Sequence, residues 1–153
     1  KHKIYKGDFI KDLNFREKFD MIVMRGVIEH TEDPKRFVYK GQKLLKKNGY
    51  FFISATPDLD SISAEIFKER WTMHRPEVHI LHLSERHIDK LFKKDFIKSG
   101  SQHLYLGTPY ENYNSDLQKI KKEIDLQKKG KKSNLQSPPF FGNMITAVYK
   151  KIH

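Results

Sequence analysis

Glu29 and His30 stand side by side in "FDMIVMRGVIEHTEDP", residues 19 to 34, where an apolar run gives way to a helix start. Imidazole titrates near neutrality, so His30 can take a proton from a substrate hydroxyl while a neighbouring carboxylate tunes its basicity. Adjacent side chains rarely point the same way, which keeps a second reading open: Glu29 favours the positive end of the following helix and His30 packs at the turn. Three further groups fall where apolar segments end: Gly7-Asp8, Arg25-Gly26 and Thr56-Pro57-Asp58. In open α/β sheets ligands bind at the carboxyl ends of the strands, so these groups could line one cleft. Asp8 offers a carboxylate to a ligand amino group, and Gly26 lets a ligand approach the main chain. The structural alternatives are a turn at Asp8, a bend at Gly26 and a loop at Thr56-Pro57-Asp58.

His74, His79, His82 and His87 follow one another closely, but Pro76 and the apolar residues between them suggest an extended loop. No carboxylate falls at a familiar ligand offset, so no metal site is predicted. Trp71, His74 and His79 are candidates to line a substrate pocket under a covering segment, with His79 joining His30 as a candidate base. Trp71 fits equally well as core.

The elements that must position these groups are legible in outline. "HKIYKGDF" reads as a short strand stopping at Gly7-Asp8. "FDMIVMRGVI" is a nearly continuous apolar run, the pattern of a parallel strand buried on both faces. Asp33 is an N-cap with Pro34 at the first helical position, and Phe37, Leu44 and Leu45 follow at helical spacing before Lys46-Lys47-Asn48-Gly49, which reads as a left-handed C-cap. "YFFISAT" is the next strand, so a βαβ crossover and a partly parallel sheet are predicted. Helices after Ser61 and Ser84, a strand in "FIKSGSQHLYLG", a charged helix over 111–132 that would be an insertion or lid, and a final strand in "NMITAVYKKI" complete a single domain of 153 residues.

Composition narrows the classes. Hydrophobic residues are 37% and charged residues 32%, which is globular, and no apolar run approaches the roughly 20 residues that span a bilayer. Without cysteine there is no disulfide framework, thiolate metal site or thiol nucleophile. No signal peptide opens the chain, and the expected compartment is the cytoplasm. The net charge of +11 suits a polyanion, but it is mostly lysine and spread along the chain rather than gathered into a groove, which argues against nucleic acid as the partner.

The order "KGDF", then "FDMIVMRGVIEHTEDPKRFVYKGQKLLKKNGYFFISATPD", then "PEVHILHLSERHIDKLFKK" resembles the later two-thirds of a class I S-adenosylmethionine-dependent methyltransferase. It is most similar to the small-molecule branch of ubiquinone-biosynthesis and polysaccharide-cluster enzymes. The resemblance implies an α/β Rossmann-like methyltransferase fold with an antiparallel last strand, S-adenosyl-L-methionine as cofactor and a small-molecule methyl acceptor. It also implies roles: Asp8 and Phe9 beside the adenine, Arg25, Gly26 and Val27 against the methionine part, Glu29-His30 at the edge between donor and acceptor, and acceptor specificity from 61–82.

The family's glycine-rich loop, an acidic residue and G-x-G-x-G after the first strand, has no counterpart here, nor has the acidic residue that ends the second strand. The resemblance therefore predicts an incomplete fold: a chain that begins just before the third strand, with little cofactor affinity alone and a sheet edge through which two copies could pair. The rival reading is a non-catalytic methyltransferase-like module that binds RNA or an acidic partner through its basic surface.

Overall fold

The computed structural model describes residues 2–153. Along the chain run β1 (Phe19–Arg25), α1 (Pro34–Leu44), β2 (Leu45–Pro57), α2 (Ile62–Phe67), α3 (Glu85–Phe92), β3 (Phe96–His103), α4 (Tyr113–Lys128) and β4 (Met144–Lys151). The strands form one mixed sheet in the order β1-β2-β4-β3, parallel between β1 and β2 and antiparallel at the other two pairings. The α/β expectation holds, and the β1-α1-β2 unit is the parallel crossover the sequence predicts.

Local chemistry sets the element ends. The Asp33 carboxylate accepts the Arg36 backbone N–H at 3.0 Å and Pro34 occupies the first turn of α1. Ser61 does the same for α2, accepting from the Ala64 N–H at 3.2 Å. At the start of α3, the Ser84 N–H donates to His87 Nδ1 at 3.1 Å.

The core lies between one face of the sheet and α1 with α3. Phe51, Ile53, Ile145 and Ala147 are fully enclosed there, and Tyr149 stacks on Phe92 with ring centroids 4.0 Å apart. A second cluster joins Phe67, Trp71 and Ala64 to Ile120 of α4.

Three expectations need correction. No strand forms in "HKIYKGDF": residues 2–6 carry no regular structure and the chain bends at Gly7, since no strand lies beside this segment to take up its main-chain groups. β1 is not buried on both faces. Met24 is buried, whereas Met21 and Val23 are more than half exposed, because all the helices that pack on the sheet lie on the opposite face. Finally, α1 stops at Leu44, not at Asn48-Gly49. Asn48 is left-handed, as predicted (φ 61°), but lies inside the extended segment; Gly49 has no room for a side chain because the Asp20 carbonyl sits 3.0 Å from where a Cβ would be.

Candidate functional site

A cleft of about 480 Å³ opens at the carboxyl ends of β1 and β2. Its floor is Arg25 and Gly26 from β1's end with Ser54 and Ala55 from β2, and Glu29 and His30 form one side. Gly26 adopts φ +59° and donates its N–H to the Ser54 carbonyl at 2.9 Å. A side chain there would be strained in backbone and would project towards Glu29 Oε1 and the Ala55 carbonyl. Val27 packs against the core and is not among the residues that line the cleft.

The turn Ile28–His30 places Glu29 inward and His30 outward. Glu29 is buried at 2% exposure, accepts the Thr56 hydroxyl on Oε2 at 3.1 Å, and brings Oε1 within 3.8 Å of His30 Nε2. His30 Nδ1 lies 2.7 Å from the Val78 carbonyl, which makes Nδ1 the donor, so that in the neutral ring Nε2 carries the lone pair. His79 is held in the same way, with Nδ1 2.9 Å from the Met73 carbonyl and its ring 5.2 Å from that of His30. Sequence reasoning placed both histidines as candidate bases, and the fold brings them together across 48 residues. One ligand atom from each of Glu29, His30 and His79 lies within 4.8 Å of the others, a set able to hold a cation.

The other candidates sit around this centre. Asp8 and His30 share a second, smaller cavity of about 300 Å³ with the start of α1. The Asp8 carboxylate is turned onto its own loop, accepting the Ile10 and Lys11 N–H groups at 2.8 Å each. The Lys11 N–H bond is the main reason its pKa lies below the ordinary value. Phe9 packs on Phe37 of α1 with centroids 5.5 Å apart. Trp71 and His74 line a different cavity beside α2, together with His82. Burial, then the neighbouring His74 and His79, push His82 below its usual pKa.

Sequence reasoning missed the far wall of the cleft. Leu104, Thr108 and Tyr110 come from the loop after β3, Phe140 from the approach to β4 and Met144 from its first position. Tyr110 and Phe140 pair their rings at 4.5 Å. Neither segment has a periodic pattern, so nothing local marked them.

Asp58, beyond the end of β2, is buried and accepts from His103 Nε2 at 2.7 Å. This hydrogen bond raises the His103 pKa. Its stabilisation is complete below the unfolded value of about 6.5 and is lost as pH rises through the higher folded value. His103→Gln should therefore cost stability, on the order of 1 kcal/mol, in urea denaturation near pH 5, and the difference from wild type should shrink at alkaline pH.

Comparison with known proteins places the fold. The profile of a family described as "Methyltransferase domain" matches residues 2–95. The ubiquinone biosynthesis O-methyltransferase of Pelagibacter ubique (strain HTCC1062) is 38% identical over 53 residues, 35% of this chain and 21% of that protein. The mitochondrial ubiquinone biosynthesis O-methyltransferase of Candida albicans is 30% identical over 98 residues, 63% of this chain and 30% of that one. The matches thus span less than a third of either relative. Among solved structures, the N-methyltransferase NodS of Bradyrhizobium japonicum WM9, in complex with S-adenosyl-L-homocysteine, superposes with a TM-score of 0.53 at 13% identity, covering 94% of this chain and 52% of that one. A SAM-dependent methyltransferase from Methanosarcina mazei gives 0.58 at 14% identity, covering 96% and 66%. The fold is Rossmann-like, of the methyltransferase kind. Among the described residues no helix is long and apolar enough to cross a membrane.

Proposed function

Because the chain belongs to the methyltransferase domain family, we propose that it forms the acceptor-facing part of an S-adenosylmethionine-dependent enzyme that methylates a small-molecule hydroxyl. The observation that carries this reading is the end of β1, where Gly26 is left-handed and bare and opens onto a cleft with His30 at its side. Such a backbone accommodates the methionine end of the cofactor as no residue with a Cβ would. When bound, that cofactor supplies a methyl group already activated on a sulfonium, so the protein's task is alignment and exclusion of water.

The chain's own groups have these roles. Arg25 presents a guanidinium at the cleft floor that suits a carboxylate. His30 Nε2, with its lone pair free, receives the proton that an acceptor hydroxyl must lose. Leu104, Tyr110 and Phe140 supply an apolar wall against which the acceptor lies. The hydroxyl class is supported by the names of the two curated relatives and by the base-competent form of His30. The 153 residues contain no G-x-G-x-G loop, so affinity for the cofactor should be weak.

Titrating the labelled chain with S-adenosylhomocysteine and following amide resonances tests this reading. The expected result is millimolar binding with shifts at Gly26, Val27 and Ala55, abolished in Gly26→Val, whose left-handed backbone alone costs about 1–2 kcal/mol. No shift up to the solubility limit, or shifts confined elsewhere, would refute it. Micromolar affinity would keep the site and overturn the incomplete-fold reading.

A further inference from the structure

Tyr105, just past β3, is 6% exposed in a stretch where Leu104 and Leu106 are 48% and 64% exposed. Its ring lies 5.0 Å from that of Phe141, which accounts for the burial. Packing does not account for the hydroxyl. It donates to Asp116 Oδ2, in the first turn of α4, at 2.6 Å and accepts the Asn112 N–H at 2.7 Å. A phenol has one proton to give, and here a carboxylate, the stronger kind of acceptor, takes it.

The loop that these bonds tie down also closes on itself. Gly107, left-handed at φ +75°, donates its N–H to the Glu111 carboxylate at 2.6 Å, and the Thr108 hydroxyl donates to the Tyr105 carbonyl at 2.7 Å. From this loop Leu104, Thr108 and Tyr110 line the cleft, where Tyr110 meets the Phe140 ring.

We propose that Tyr105 is a positioning residue for the methyl acceptor: its hydroxyl clamps the loop over 104–112 to the start of α4 and thereby fixes the far wall of the cleft. The inference rests on the reading of that cleft as the methyl-transfer site. α4 is a firm anchor, since Glu123 on its buried side is held by Arg70 at 2.5 Å. The helix expected as a lid serves here as a fixed post. Without the hydroxyl, the remaining restraints are the loop's internal bonds and the ring contacts of Tyr105 and Tyr110. A segment held that loosely opens by itself, and a ligand that needs the closed form then binds with its affinity reduced by the closed fraction. Alignment of an acceptor against an activated methyl suffers in the same proportion. Tyr105 does not line the cleft and acts through the loop.

The test uses the full chain and two probes, phenol for the acceptor side and S-adenosylhomocysteine for the cofactor side. Isotope-labelled methionine methyls report on Met144 in the cleft wall. Phenol should shift the Met144 methyl of wild type. Tyr105→Phe keeps the ring and removes the hydroxyl. It should weaken phenol binding roughly fivefold and speed amide exchange over 106–111, with the S-adenosylhomocysteine shifts at Gly26 as in wild type. Asp116→Asn retains an acceptor oxygen and should bind phenol as wild type does. Asp116→Ala should approach Tyr105→Phe, and the double variant should lose no more than Tyr105→Phe alone. A Tyr105→Phe protein that is less stable yet keeps wild-type phenol affinity reduces the hydroxyl to a structural role and overturns the proposal. Equal weakening of both probes does so too, as does phenol that never reaches Met144. Should Tyr105→Phe fail to fold, Asp116→Ala against Asp116→Asn carries the same comparison. Missing nucleoside shifts at Gly26, with the phenol differences intact, would sink the methyltransferase reading alone.

Discussion

Phe51→Ala should destabilise the protein by about 3–5 kcal/mol, and Gly41→Ala by about 2 kcal/mol, yet the two losses should not add. Phe51 is fully buried on β2 under α1, with its ring edge-on to Phe92 at 5.0 Å. Truncating it leaves a cavity in a close-packed layer. Gly41 is the reason the ring fits. A Cβ at that position would lie 2.3 Å from Phe51 Cε2 and 2.9 Å from Cζ, and the ring has no space into which to retreat. Helix propensity acts the other way, favouring alanine over glycine within α1 by about 1 kcal/mol. The clash decides the sign, because relieving it means moving α1 off the sheet or forcing Phe51 from its rotamer. In the Phe51→Ala background the clash is gone and only propensity remains, so Gly41→Ala should there be neutral or stabilising. Urea denaturation of the four-member cycle measures this. Additive single losses would mean that the helix and the ring do not meet as described.

That contact illustrates where sequence reasoning reaches its limit. Asp33-Pro34 announced α1 and the apolar run announced β1, because capping and hydrophobic continuity are local properties. Why position 41 is glycine was not legible, since the reason lies ten residues away on another element. The exposure of Met21 and Val23 was likewise hidden: an apolar strand looks the same whether or not a layer covers its second face. In the candidate site, the Glu29-His30 pair and Gly26 stood out by type and position. Thr56 stands in the sequence at the end of the strand "YFFISAT" and among the groups that could line the cleft, but its bond to Glu29 follows a bulge that has no composition signature, and the meeting of His30 with His79 depends on how the long segment after α2 folds back. Tyr110 and Phe140 come from two irregular stretches that only the sheet brings together.

The second large effect concerns how α4 is held. Glu123 on α4 is fully buried, and the Arg70 guanidinium spans it with both terminal nitrogens, while Arg70 Nη1 also donates to the Leu135 carbonyl at 2.6 Å. One arginine thus ties α4, the segment after it and the turn following α2. Removing Arg70 leaves a carboxylate in the interior with the Ser133 hydroxyl and the Gln127 amide, the latter 2.8 Å away, as its remaining donors. Breaking a buried pair from one side costs about 3–5 kcal/mol, so Arg70→Met should fall in that range. Glu123→Gln should cost less, because Arg70 is partly exposed and can keep its charge in water. A double variant, Arg70→Met with Glu123→Leu, should regain much of the loss, since apolar packing can replace an ion pair. The pH dependence separates charge from shape. Arg70 holds the Glu123 carboxyl at about 2. A depressed carboxyl contributes fully above its unfolded value of about 4.3, and the contribution is lost as pH falls from there. The stability gap between wild type and Glu123→Gln should therefore be constant near neutrality and close progressively below about pH 4. A gap that persists unchanged into acid would show that packing, not the ion pair, holds α4 in place.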